Sequence, residues 1–493
     1  MYSVEKANAF IEENKDKVVG KYRNQFHFMS PIGWINDPNG FIFFKGEYHL
    51  FYQYHPYSSE WGPMHWGHAK SKDLVTWDHL PVALAPDQPY DKDGCFSGTA
   101  IEKDGKLYLM YTGLILGETE SDSRQVQCVA VSTDGIHFEK ITQNPVIDAQ
   151  QLPENSKPED FRDPKVFEKN GEYYKLIASK TKDDRGQLLL YKSTDLIKWN
   201  YASIFSEGTK EEGVMWECPD FFELDGKEAL IISPIAYPKD DHRYHNTHTS
   251  LLLTGQVDWE QGVFHKETVR EIDHSLDFYA PQTLKDDQGK QILIAWMQMW
   301  GRNMPTNTEG HQWAGAMVLP RELSLKDGIL SQTPIEGIKK YYQNEKTLKN
   351  EVLKNEKKEF DGIHGEVFVL ELEVKLDDEA TFEIELRSND KEFTTLVYNQ
   401  KDGKLTLNRK NSGHEIIGAE EAHLYKREAY CSGNTSDLKL AIYVDQSSVE
   451  VFVNDGIETM TATIYPVEKA EKIKFKANGT AEIMKLSKWE LSI

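Results

Sequence analysis

The sequence predicts an all-β protein, a five-bladed β-propeller followed by a C-terminal antiparallel β-sandwich. Two repeating marks predict the propeller. The pattern Ser-x-Asp-x-x-x-aromatic occurs at residues 71–77, 132–138 and 193–199, and a degraded copy ends at Asp258-Trp259. Its closing aromatics Trp77, Phe138, Trp199 and Trp259 are therefore 61, 61 and 60 residues apart. A glycine turn leading into an apolar strand is the second mark, at Gly46, Gly105, Gly171, Gly226 and Gly289. Five units of about sixty residues, each with room for four short strands, suit the blades of a propeller. One large β-sandwich would not require so regular a period. The third observation concerns the C-terminal part. From about residue 340, runs such as Val367–Val374, Phe382–Leu386, Leu438–Val444 and Val449–Val453 alternate apolar and polar residues. Period-two strands with one wet face read as an antiparallel sandwich.

In chain order, residues 1–25 read as a short helical lead-in, 26–335 as the propeller and 345–493 as the sandwich, with the connection at around 321–345. A length of 493 residues exceeds one ordinary core, so several domains are expected. The net charge of −23 argues against nucleic acid and anionic membranes as partners and suits a soluble, small-molecule-handling protein. The 11 Trp, 23 Tyr and 22 Phe suit both β-structure and sugar-stacking surfaces. The polar start of the chain lacks an apolar segment of signal-peptide type, and no apolar run reaches membrane-spanning length, so a cytoplasmic protein is expected. Cys95, Cys128, Cys218 and Cys431 show no zinc spacing and read as free thiols. Asn434-Thr435-Ser436 matches a glycosylation acceptor, read as a chance match.

The repeat gives the acidic motifs a common frame. Asp37, in Trp34-Ile35-Asn36-Asp37-Pro38-Asn39-Gly40, lies 9 residues before Gly46, and Asp163, in Arg162-Asp163-Pro164, lies 8 before Gly171. Glu217, in Trp216-Glu217-Cys218-Pro219, lies 9 before Gly226. The second unit has Phe96-Ser97 there, and the fifth has Ala280-Pro281 beside Tyr279. In a propeller the first strand of each blade runs along the axis, so these positions face one another at one end of the channel. Three carboxylates in one funnel repel each other, a cost that function explains better than structure does. Two carboxylates in an aromatic-lined funnel point to glycoside hydrolysis. Asp37, beside an amide and turn N–H groups, is expected to stay ionised as nucleophile. Glu217, between Trp216 and Cys218, is expected to have a raised pKa and to act as general acid/base. Asp163 is expected to hold sugar hydroxyls and stabilise an oxocarbenium-like transition state.

These blocks, with Phe96-Ser97-Gly98-Thr99, Asp277-Phe278-Tyr279-Ala280-Pro281-Gln282 and Ser448-Val449-Glu450-Val451-Phe452, resemble the signature segments of glycoside hydrolase family 32, the invertases, sucrose-6-phosphate hydrolases and fructan hydrolases. The resemblance covers nearly the whole chain in the family's order. It implies a five-bladed propeller with a β-sandwich, retaining cleavage of β-fructofuranosides, and no metal or other cofactor. It places the nucleophile at Asp37, the acid/base at Glu217 and the stabiliser at Asp163. Asn36, Gln53, Trp61, Phe96, Ser97 and Arg162 would line the fructose site, and Trp34, Ile35, Tyr279 and Trp296 are further substrate-binding candidates. Ile35 and Thr99 stand where other members often have Met and Ser. The substrate expected is sucrose 6-phosphate or sucrose. Fructooligosaccharide hydrolysis or fructosyl transfer is the alternative within enzymes, and a non-catalytic sugar-binding propeller is the alternative outside them.

Two further clusters have competing readings. His242, His245 and His248 are evenly spaced but have no cysteine or clear carboxylate partner, so an aglycone-side loop is preferred to a metal site. His65 and His68 read as ordinary propeller residues. Arg302 reads either as a solvated loop arginine or as a phosphate ligand on the leaving-group side.

Overall fold

A computed structural model describes residues 2–418, 424–431 and 437–493. Asn434-Thr435-Ser436 lies outside the described residues. Five sheets, each with four antiparallel strands, form the propeller, and two six-stranded sheets form the sandwich. The innermost strands of blades I to V are Gly33–Phe44, Gly94–Lys103, Ser156–Lys169, Met215–Leu224 and Tyr279–Lys285. Each contacts the next around the axis, and the fifth returns to the first.

Turn chemistry explains both repeats. In blades I to IV the first hairpin turns on two residues with positive φ, Lys45-Gly46, Asp104-Gly105, Asn170-Gly171 and Asp225-Gly226. Such turns match the twist of the flanking strands, and glycine takes the second place because its φ of +72 to +84° suits no side chain. The Ser-x-Asp element is the turn between the third and fourth strands. Ser71 Oγ accepts from Leu74 N at 2.7 Å, and Asp73 Oδ1 accepts from Val75 N and Thr76 N at 3.0 and 2.9 Å. Ser132 with Asp134 and Ser193 with Asp195 repeat those bonds. Asp258 still accepts from Glu260 N and Gln261 N, which accounts for the partial fourth copy.

Residues 321–334, expected to begin the connection, are instead the outer strands of blade V, Arg321–Lys326 and Ile329–Pro334. The connection is the short turn Glu336–Tyr341. Between the second and third strands of blade V the chain crosses to blade I, where Trp313–Ala314 pairs in parallel with Gly33–Trp34 and joins the ends of the ring. The lead-in forms a helix, Val4–Asn14, capped by Ser3 Oγ and tied to blade I through Asn8.

The sandwich core gathers Leu370, Leu372 and Ile442 from one sheet and Phe382, Ile384 and Leu386 from the other. The expectation of a wet outer face holds only in part. Glu371 and Glu373 reach solvent, but Val369, Tyr443 and Phe452 on the same sheet join the core of the propeller. Glu450, from the C-terminal motif, is a hub of that junction. It accepts from His27 Nε2 at 2.7 Å, Leu319 N at 2.7 Å and Arg321 Nη2 at 2.5 Å.

Candidate active site

Every innermost strand breaks register with its neighbour near its start, at residues 35–38, 96–98, 162–165, 217–220 and 279–282. A bulge re-aims side chains, and here five bulges turn theirs towards the axis. The residues before Pro164, Pro219 and Pro281, namely Asp163, Cys218 and Ala280, have φ of 60, 48 and 52°. A side chain in that region is strained, a common feature of functional sites. The acids are therefore not in one repeat position. Asp163 matches Cys218 and Ala280, whereas Glu217 matches Arg162 and Tyr279.

The carboxylates nonetheless converge. Asp37, Asp163 and Glu217 line one cavity of about 420 Å³, together with Asn36, Gln53, Trp61, Phe96, Ser97 and Arg162. That volume is typical of a small-molecule site. Asp37 is 8% exposed and Asp163 5%, so both lie at the floor. Ser97 Oγ donates to Asp37 Oδ2 at 2.6 Å. Cys218 Sγ lies 3.5 Å from that oxygen and 3.6 Å from Asp163 Oδ2, and Cys218 N donates to Asp163 Oδ2 at 3.0 Å. Arg162 donates to Glu217 Oε1 through Nε and Nη2 at 3.1 and 2.9 Å, and through Nη1 to Asp160 Oδ1 at 3.0 Å. Tyr279 donates its hydroxyl proton to Glu217 Oε2 at 2.5 Å, with the Ser233 carbonyl 3.1 Å from the same oxygen.

The protonation balance reverses the expectation. Burial pushes Asp37 up, the Ser97 bond pulls it down and the charge of Glu217 pushes it up again; the result is above the usual range. Burial also raises Asp163, against the pull of Arg162. Burial would raise Glu217 too, but Arg162, His248 and Tyr279 outweigh it and leave that carboxyl below the usual range. Sequence neighbours misled here because side chains alternate along a strand. Trp216 points into the core against Gly186 and Gly208, and the Cys218 thiol faces the two aspartates, so neither gives Glu217 apolar company.

Four binding candidates stand behind the cavity. Trp34 donates to Asn36 Oδ1 at 2.8 Å and packs on Trp296 and Trp300. Trp296 and Ile35 have no exposed surface, and Tyr279 is 1% exposed. Direct sugar contact therefore gives way, for Trp296, to a supporting place against Trp34 and, for Ile35, to a place in the propeller core. The cavity wall also contains Trp300, Leu116, Glu120, Gln125, Glu159 and Asp160, which the motifs did not indicate. Leu116, Glu120 and Trp300 come from connecting segments on the site face, where no turn pattern repeats, whereas Gln125 is at the start of the strand Arg124–Ser132 and Glu159 and Asp160 are in the innermost strand of blade III.

The other candidates lie elsewhere. Arg302 is neither solvated nor in the cavity; it is buried on Asp277 at 2.8 Å, which also holds Arg409 and Thr463 of the sandwich. His242 packs on Tyr430, His245 bonds the Asp241 carbonyl and His248 lies beside Tyr279. Among the described residues no three His, Cys, Asp or Glu side chains form a group able to hold a metal. His65 and His68 are buried, the first bonded to the Pro63 carbonyl and the second stacked on Phe51.

Comparison with known proteins gives a consistent picture. The family model "Glycosyl hydrolases family 32 N-terminal domain" matches residues 27–334, and "Glycosyl hydrolases family 32 C terminal" matches 337–490. A sucrose-6-phosphate hydrolase of Zymomonas mobilis is 37% identical over 486 residues, covering 94% of this chain and 91% of the relative. A raffinose invertase of Escherichia coli is 38% identical over 476 residues, covering 95% and 94%. The β-fructofuranosidase of Bombyx mori, solved in complex with sucrose, superposes with a TM-score of 0.84 at 33% identity, covering 99% of this chain and 97% of that one.

Proposed function

The chain belongs to glycoside hydrolase family 32, and on that premise we propose a retaining β-fructofuranosidase that releases fructose from sucrose or its 6-phosphate. The observation that carries the reading is the convergence of Asp37, Asp163 and Glu217 on one cavity, each oriented by a neighbour that does not itself react.

Asp37 attacks the anomeric carbon of the fructosyl unit, and Glu217 gives its proton to the departing glycosidic oxygen. Glu217 then takes a proton from water, which attacks the fructosyl–Asp37 ester and frees fructose and the Asp37 carboxylate. Asp163 holds ring hydroxyls and faces the positive charge that develops in the transition state of each step. Three carboxylates against one guanidinium titrate as a unit, so the proton they retain belongs to the cluster. Tyr279 supports its use at Glu217. When Glu217 is protonated on Oε2, it can donate to the Tyr279 oxygen while the Tyr279 hydroxyl donates to the Ser233 carbonyl. Asn36, Gln53, Trp61, Phe96, Ser97 and Arg162 form the fructosyl pocket.

The propeller, assigned to 26–335, supplies all of these groups, and the sandwich, assigned to 345–493, braces it. The sheet memberships support that division. No helix among the described residues is long and apolar enough to cross a membrane. Four buried unpaired cysteines support an intracellular site of action.

The decisive experiment is Asp37→Ala, assayed by glucose release from sucrose. A folded protein with activity reduced by at least about 10³-fold is expected for a lost nucleophile. Activity near that of the unaltered enzyme would remove Asp37 from the mechanism.

A further inference from the structure

We infer that the active-site cavity selects an uncharged saccharide and discriminates against the phosphorylated one, through carboxylates at its mouth. This inference rests on the fructofuranosidase reading and concerns the other half of the substrate, the leaving group. With Asp37 and Asp163 at the floor, the fructosyl ring occupies the deep end, and the glucosyl unit extends towards the mouth. Six carboxylates line the cavity, Asp37, Glu120, Glu159, Asp160, Asp163 and Glu217, against one cation, Arg162.

That cation is already committed. Its Nε and Nη2 go to Glu217, and its Nη1 goes to Asp160 at 3.0 Å and Gln125 at 3.3 Å. The lysines just outside are engaged as well. Lys157 is on Asp184 at 2.6 Å, and Lys180 bridges Asp160 and Asp184 at 3.4 Å each. At the mouth, Glu120 is exposed and Glu159 half-buried.

A phosphate ester carries close to two negative charges above its second pKa of about 6 and needs guanidinium or ammonium groups to receive it. This wall offers it like charge instead, on a molecule whose net charge of −23 already repels anions at a distance. A neutral hexosyl group meets no such barrier and has Trp300 for stacking. A sucrose-6-phosphate hydrolase is among the relatives, but this mouth has the charge suited to neutral sugars.

The test compares kcat/KM for sucrose and sucrose 6-phosphate, in the unaltered enzyme and in Glu120→Gln/Glu159→Gln. Sucrose should be preferred at least tenfold at pH 7.5 and low salt. The double substitution should narrow the preference at least threefold by raising kcat/KM for the phosphorylated sugar, and 0.5 M salt should narrow it too by screening. Equal or better use of sucrose 6-phosphate overturns the inference while leaving the fructofuranosidase reading intact. A preference that the double substitution leaves unchanged overturns it as well. Cleavage of neither sugar removes the fructofuranosidase reading, and the inference with it.

Discussion

Tyr279 shows how a residue can matter to the site without lining it. The motifs marked it as a sugar-binding candidate because it lies beside Ala280-Pro281 in the fifth unit. In the structure it is 1% exposed, and its hydroxyl is 2.5 Å from Glu217. That bond stabilises ionised Glu217 and helps hold its carboxyl below the usual range, after burial and the charges of Arg162 and His248. The sign follows: without the hydroxyl the Glu217 pKa rises. In the proposed mechanism the first chemical step needs Glu217 protonated, so activity then persists to higher pH. Tyr279→Phe is therefore expected to move the alkaline limb of kcat/KM upward while lowering its maximum by roughly tenfold. A lower maximum with an unmoved limb would make Tyr279 a packing residue only. The three acids were readable because each sits in a short, distinctive motif. The direction of the Glu217 shift was not, because Arg162 reaches it from a neighbouring blade, 55 positions away in the chain.

At the scale of elements, the propeller was readable because its turns are chemically explicit. A Ser-x-Asp turn needs two side-chain acceptors at fixed spacing, and a two-residue hairpin needs glycine at positive φ, so both leave a signature at every repeat. The strand starts are subtler. A shift of one residue separates Asp163 from Glu217 in the repeat, and bulges absorb that shift invisibly. The segments carrying Glu120 and Glu159, a short helical turn and the start of the innermost strand of blade III, share no repeating pattern, so nothing in the sequence aimed them at the cavity. The turns themselves can be tested against one another. Asp195 Oδ1 accepts from Ile197 N and Lys198 N at 2.9 and 2.8 Å. Removing such a cap costs about 1–2 kcal/mol. Asp73 makes the equivalent bonds and also accepts from the Tyr341 hydroxyl at 2.5 Å, in the connection to the sandwich. Asp73→Ala is thus expected to lower the denaturant midpoint more than Asp195→Ala. The reverse order would mean that the Tyr341 tie adds nothing.

At the scale of the whole molecule, buried histidines make the junction between propeller and sandwich pH-dependent. His27 lies between Asp445 and Glu450 at 2.9 and 2.7 Å, and His274 between Glu271 and Glu458 at 3.3 and 2.9 Å. Burial disfavours charge on both rings, but the paired carboxylates win and lift them to about 9 and about 10. A raised histidine contributes stability that is complete below its unfolded pKa of about 6.5 and is lost as pH rises through the folded value. Lys175 works in the opposite direction. Its ammonium group is buried without a hydrogen-bond partner, and burial lowers it to about 7. The unfolded chain holds that proton up to about pH 10.4, so this lysine makes stability rise with pH between those values. The face of Trp199, 4.1 Å away, favours the charged form and weakens the opposing slope. Two protons lost from the junction thus oppose at most one at Lys175. The melting temperature is expected to fall by about 3–5 °C between pH 7 and 9. Lys175→Met should raise the melting temperature at pH 8 and steepen that fall, because it removes the opposing slope. His27→Gln should lower it most at pH 6 and flatten the fall. A melting temperature that climbs from pH 7 to 9 in the unaltered protein would mean that the junction histidines do not hold their protons, and that Arg321 on Glu450 and Arg270 on Glu458 supply the positive charge there.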